Sequence, residues 1–277
     1  MKKGISLVLV LVLCLSLCAC GKSKAVQEVE TAISAIGEVG VDSREAIETA
    51  EGLYSALPDK DKEQVENYSL LVEAREEYEK AYVFELSKEA YENIKTAYEL
   101  VSNFGSDYYR VRFLSVWKSD EVKNKGVSFL AEDLHYISED ELREGIRLEI
   151  EEQHEKGVDW LTEKHLTDMD YLLSELSYNS SLAVCLYATR NAYGLSGKTA
   201  EIEDALNSAK EQMKELSEKY SDYTHYPNLK DFFSATSSYY ETCFLSGNSL
   251  EQYKQLFTDY EKIGKEYISD LDFIFGE

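Results

Sequence analysis

"AIGEVGVDSREAIETAEGLYSALPDKDKEQVENYSLLVEAREEYEK", residues 35–80, reads as the end of one helix, the whole of a second and the start of a third. Just upstream, Val26, Val29, Ile33 and Ile36 recur at three- and four-residue steps, the spacing that gathers apolar side chains on one helical face. Gly37 and Gly40 end that stripe. Asp42 is placed to cap the next helix, with Glu45 completing a capping box and Val41 stapling onto Ala46 or Ile47. Ala46, Ile47, Ala50, Leu53, Tyr54 and Leu57 line it. Pro58, followed by Asp59 and Asp61, suits a helix start. Val65, Tyr68, Leu71 or Val72, Tyr78 and Tyr82 then carry a third stripe. Three short helices with tight connections are expected to make a small antiparallel bundle over residues 25–82.

Working outward, residues 83–277 continue the helical pattern. Ala90, Ile94, Ala97 or Tyr98, Val101 and Phe104 run to Gly105, and "GSDYYRVRFLSVW" follows with Phe113 and Trp117 expected to face inward. Val127, Leu130, Leu134 and Ile137 form the next stripe. Ser138 with Glu141 makes a capping box ahead of Leu142, Ile146 and Ile150. Helices are expected over Leu161–Leu176 and Leu182–Tyr193, the second apolar nearly all round and so central. Thr199 is expected to cap a helix to about Tyr220, a turn at Pro227 precedes a helix through Phe244, and Ser249 with Gln252 boxes the last. Only two prolines and fourteen glycines occur among abundant Glu, Lys, Ala and Leu, so composition agrees with periodicity. The expected fold class is all-α: a small N-terminal three-helix bundle followed by a larger multi-helix bundle.

The 29 Lys and Arg against 53 Asp and Glu give a net charge of -24, which repels nucleic-acid phosphate and excludes nucleic acid as a partner. The 21 tyrosines suit core-edge positions, ring inward and hydroxyl at the water.

The chain begins with the parts of an export signal: basic Lys2 and Lys3, an apolar run from Ile5 to Leu17, then small Ala19 before Cys20. The run is shorter than the ~20 residues that span a bilayer as a helix. Leu17-Cys18-Ala19-Cys20 resembles the lipobox of bacterial lipoproteins. The resemblance implies cleavage after residue 19, a diacylglyceryl group on Cys20, a lipidated tether over residues 20–24 and a place on the extracytoplasmic face of the cell membrane. Cys18 fits worse, because bulky Leu17 would then hold the small position, and Cys14 lies inside the apolar run. Of the remaining cysteines, Cys185 and Cys243 sit in apolar helical contexts that suit buried thiols; a disulfide between them is the alternative that export permits.

Residues 35–80 also resemble a three-helix module of Gram-positive surface proteins, through the Ala-Ile-Gly helix end, the Asp-Ser cap and the Val-x-Asn-Tyr start. That resemblance implies a spacer or binding attachment and supplies no catalytic residues. The order of elements beyond it resembles uncharacterised helical lipoproteins of Gram-positive anaerobes.

The expected role is therefore a non-enzymatic binding or structural element at the envelope, needing no cofactor, with an envelope protein or wall polymer as the possible partner. Two alternatives have residues attached. An aromatic turn of Tyr220, Tyr223, His225 and Tyr226 could stack on sugar rings or a partner's side chains, making a wall-polymer or carbohydrate-binding lipoprotein. Glu132-x-x-His135 and Glu151-x-x-His154 echo the pairs that hold metal in di-iron bundles, making a metal protein or cryptic enzyme. Asp168 and Asp170 suggest solvated helix faces.

Overall fold

The computed structural model describes residues 22–132, 134, 136–158, 162–243 and 249–276. The signal segment, Cys20, His135, Leu161, Phe244 and the rest of the chain lie outside these residues. Twelve helices and no strand occur among the described residues, so the all-α class holds. The chain falls into two compact units, Met1–Glu85 and Leu86–Glu277.

In the first unit, α1 (Lys24–Ala35) starts at Ser23, whose side chain accepts from the Val26 N–H at 3.2 Å. Residues 22–24, grouped with the tether on sequence grounds, are thus part of the folded unit. Gly37, at φ +69°, closes the helix end as its spacing suggested. A 3-10 turn (Val41–Ser43) then leads into α2 (Arg44–Ser55). Ser43 rather than Asp42 organises this start, because the Gly40 N–H donates to Ser43 Oγ at 3.0 Å. Pro58 opens a single turn, α3 (Asp59–Lys62), and α4 (Tyr68–Trp117) begins three residues after buried Val65.

Val26, Val29 and Ile33 of α1 meet Ile47 and Ala50 of α2 and Leu71, Ala74 and Tyr78 of α4 in one core. Burying each large aliphatic side chain stabilises by about 1.5–3 kcal/mol. Leu71, not Val72, faces this core: Leu71 is 3% exposed and Val72 41%. Arg75 fixes the α2–α4 register with a bidentate pair to Glu51, at 2.8 and 2.5 Å.

The third helix is not short. α4 runs for 50 residues, its first part in the first unit and the remainder in the second. Neither proline nor glycine interrupts the chain between Tyr82 and Phe104, and the apolar stripe continues without a cap. Gly105 is an interior helical residue rather than a helix end, and Trp117, at the last helical position, is 65% exposed instead of facing inward. Phe113 is half-buried.

The second unit assembles around the later part of α4, whose Ala90, Tyr91, Ile94, Ala97, Tyr98, Val101, Phe104, Tyr108 and Val111 are all buried. α5 (Ser119–Ala131) is two helical pieces joined at Gly126, and α6 (Glu139–Glu155) begins with the Ser138–Glu141 box. The segment expected as one helix to Leu176 divides into α7 (Glu163–Thr167) and α8 (Met169–Glu175). Asp168 sits between them in an extended conformation and accepts from the Tyr171 N–H at 2.9 Å. α9 (Tyr178–Leu195) packs most closely on α6, where Gly145 lets the backbone reach Ala188 and the Asn191 amide donates to the Gly145 carbonyl at 3.2 Å. Tyr187 and Leu195 are exposed, so α9 keeps one open side and is not wholly central. α10 (Lys198–Lys219) starts after Gly197, at φ +78°, in place of the expected Thr199 cap. α11 (Tyr226–Cys243) and α12 (Leu250–Phe275) complete the unit, α12 opening with the Ser249–Gln252 box.

Asp170 does more than face solvent. Its carboxylate accepts from the Val127 N–H at 2.8 Å, capping the second piece of α5, and lies 3.5 Å from the Arg143 guanidinium. Gly126, at φ +71°, makes this possible, since a Cβ there would collide with that carboxylate. Gly126→Ala should therefore lower stability by about 1–3 kcal/mol, the usual scale of backbone strain. Gly194→Ala, in a helix with nothing within 4 Å of the new methyl, should stabilise by up to about 1 kcal/mol. Thermal unfolding of the two variants checks the contrast.

Candidate functional site

The aromatic turn joins α10 to α11. Tyr220 ends α10 by donating its N–H to the Leu216 carbonyl at 2.9 Å. Two tight turns follow, Tyr223 N–H to Tyr220 O at 2.9 Å and Tyr226 N–H to Tyr223 O at 3.0 Å. Pro227 then occupies the first turn of α11, where its missing N–H costs no helical hydrogen bond.

All four candidate side chains, Tyr220, Tyr223, His225 and Tyr226, are half-buried. The Tyr223 and His225 rings meet edge-on at 5.4 Å, and His225 meets Phe275 edge-on at 5.8 Å. Phe275 is itself buried and packs on Tyr91 of α4 at 5.8 Å. Burial pushes the Tyr223 phenol above its ordinary value. The turn thus brings Tyr223 and His225 together over the C-terminal end of α12. Tyr223 and His225 are engaged in packing against each other and, through His225, against Phe275.

Of the metal-type pairs, Glu151 is held by the Arg147 guanidinium and His154 is exposed. Glu132 is described without its partner, since His135 lies outside the described residues. No group of three or more His, Cys, Asp or Glu is arranged to hold a metal among the described residues. Cys185 and Cys243 are both buried and are not joined by a disulfide. Burial pushes the Cys243 thiol up to about 12, so it is neutral and unreactive at physiological pH. A shallow depression of about 670 Å³ along α12, lined by Glu261, Lys262, Lys265 and Glu266, is a solvated helix flank.

The interior holds polar groups that the sequence reading passed over. Asp107, 1% exposed, accepts from the Tyr193 hydroxyl at 3.0 Å and from the Tyr136 N–H at 3.2 Å. It lies on the buried face of α4 between Phe104 and Tyr108, and an acid in the register of an apolar stripe is the signal that marks it. Arg112, mostly buried, lies with its guanidinium 5.5 Å from the Tyr253 ring. Glu149, 4% exposed, accepts from Gln153 at 2.8 Å, and burial pushes its carboxyl above the usual carboxylate range. Asp107 ties α4 to α9 and to the segment before α6, while the Glu149–Gln153 pair stays within α6.

Comparison with protein families, with curated proteins and with solved structures finds no match to this chain.

The packing of the turn sets its own test. Tyr223→Ala removes a half-buried ring, so the loss of stability should fall below the roughly 3–5 kcal/mol of a fully buried aromatic yet remain measurable by denaturant unfolding. A Tyr223→Ala, Tyr226→Ala protein with unchanged stability and lost binding to purified wall polymer would reverse this assignment and make the turn a recognition surface.

Proposed function

We propose that this chain is a membrane-anchored extracytoplasmic lipoprotein whose helical body acts as a non-enzymatic binding or structural element at the cell envelope. The observation that carries the proposal is Leu17-Cys18-Ala19-Cys20 behind Lys2, Lys3 and the apolar Ile5–Leu17 run. A diacylglyceryl group supplies two acyl chains, enough for stable anchoring where a single chain is marginal. No helix among the described residues is long and apolar enough to cross a membrane.

The non-enzymatic part rests on where the interior's chemistry goes. Asp107 connects helices, Glu149 bonds within its own helix, and the Cys243 thiol is buried and neutral. The resemblance of residues 35–80 to a surface-protein module favours a spacing or attachment role for the first unit.

Cell fractionation of wild type and Cys20→Ala tests the anchor. Wild type should partition with membranes and carry diacylglyceryl on an N-terminal Cys20 by mass spectrometry. Cys20→Ala should appear in the medium or as the uncleaved precursor. Unchanged membrane partition of the variant, or an unlipidated wild-type N-terminus, overturns the proposal.

A further inference from the structure

The first unit is folded from Lys22 onward. Lys22 Nζ pairs with Glu30 and, at 3.1 Å, with Glu66. Ser23 caps α1 and its hydroxyl donates to Asp61 Oδ2 at 3.3 Å, tying the chain entry to α3. Only two residue steps separate Cys20 from Lys22, and an extended chain covers at most about 7 Å in two steps. The headgroup layer of one leaflet is about 5–8 Å thick, half the difference between a bilayer's full and hydrocarbon thicknesses. A tether of that reach, no longer than the layer is thick, holds this end of the unit at the headgroup surface.

The end of the unit that carries this entry comprises the start of α1 and the turn from Leu57 to Glu66. Pro58, Asp59 and Lys60 are exposed there. Four of the seven basic side chains between residues 22 and 85 lie at this end: Lys22, Lys24, Lys60 and Lys62. Asp59, Asp61, Glu63 and Glu66 balance these lysines, whereas at the opposite end Glu38, Asp42 and Glu45 outnumber Arg44. A chain of net charge -24 therefore presents its least repulsive end of this unit to anionic headgroups.

We propose that the α1–α3 end of the first unit docks directly on the lipid headgroup surface, so that the unit stands on the membrane with no flexible spacer beneath it. This rests on the lipid anchor at Cys20.

Single cysteines at Lys60→Cys or Gln64→Cys, near the docked end, and Glu38→Cys, at the far end, test it in the full lipidated protein. All three sites are exposed, whereas Cys185 and Cys243 are buried and should not take label. A fluorophore at each site is read in vesicles of neutral and anionic phospholipid carrying a headgroup nitroxide quencher. α1, at 12 residues, separates the two ends by about 18 Å. Quenching should be several-fold stronger at both near sites than at Glu38→Cys. Inserting ten Gly/Ser residues before Lys22 should remove the difference. Equal quenching at the near and far sites, with mass spectrometry showing lipid on Cys20 in the same sample, overturns the docking and leaves the anchor standing. Absence of lipid overturns both.

Discussion

Tyr98 of α4 lies against Gly264 of α12, so close that a Cβ at Gly264 would overlap its ring atoms. Its hydroxyl donates to the Glu261 carbonyl of α12 at 3.0 Å. The same ring packs on Phe232 at 5.8 Å and Tyr239 at 6.2 Å, both from α11. One side chain thereby sets the separation of α4 and α12 and seats α11 against both. Gly105 of α4 answers from the other direction: a Cβ there would meet the Tyr239 hydroxyl at 2.8 Å and the Phe257 ring at 3.2 Å. A helix-interior glycine costs about 1 kcal/mol against alanine, and here the close ring packing offsets it.

Half-buried tyrosines such as Tyr109, Tyr240 and Tyr260 hold the core edge as expected, and others lie in the core itself. Tyr91, Tyr193, Tyr239 and Tyr253 are almost wholly buried, and burial pushes their phenols upward. Tyr91 donates to the Asp272 carboxylate, which Lys95 also holds at 2.8 Å, and the two partners keep that acid below its ordinary range. All supply aromatic area, and the Tyr91, Tyr193 and Tyr98 hydroxyls also reach the Asp272 and Asp107 carboxylates and the Glu261 carbonyl. The second unit is thus held by large rings laid against thin helix faces, with the aromatic turn closing one end through His225 and Phe275.

Much of this was legible in the sequence where a local rule decides the outcome. The stripes at Val26–Ile33 and Ile47–Ala50 and the boxes at Ser138 and Ser249 follow from spacing and capping, and each is present. Two of the misreadings turn on partners distant in sequence. Gly105 read as a stop because glycine weakens helices, but its packing partners Tyr239 and Phe257 lie more than 130 residues away in sequence. Asp170 read as a solvated acid because the Val127 N–H it caps belongs to another helix, exposed by the break at Gly126. Trp117, expected to face inward, is exposed where the helix ends. The candidate turn was legible as a cluster but not as a seal, since Phe275 comes from the far end of the chain.

The central claim is that the Tyr98–Gly264 contact organises the second unit. Thermal unfolding of Gly264→Ala, followed by near-ultraviolet circular dichroism of the tyrosines, tests it most directly. A single methyl there should displace the Tyr98 ring, lower the melting temperature by several degrees and alter the aromatic spectrum while helix content persists. An alanine variant with the wild-type melting temperature and an unchanged aromatic spectrum would contradict the account.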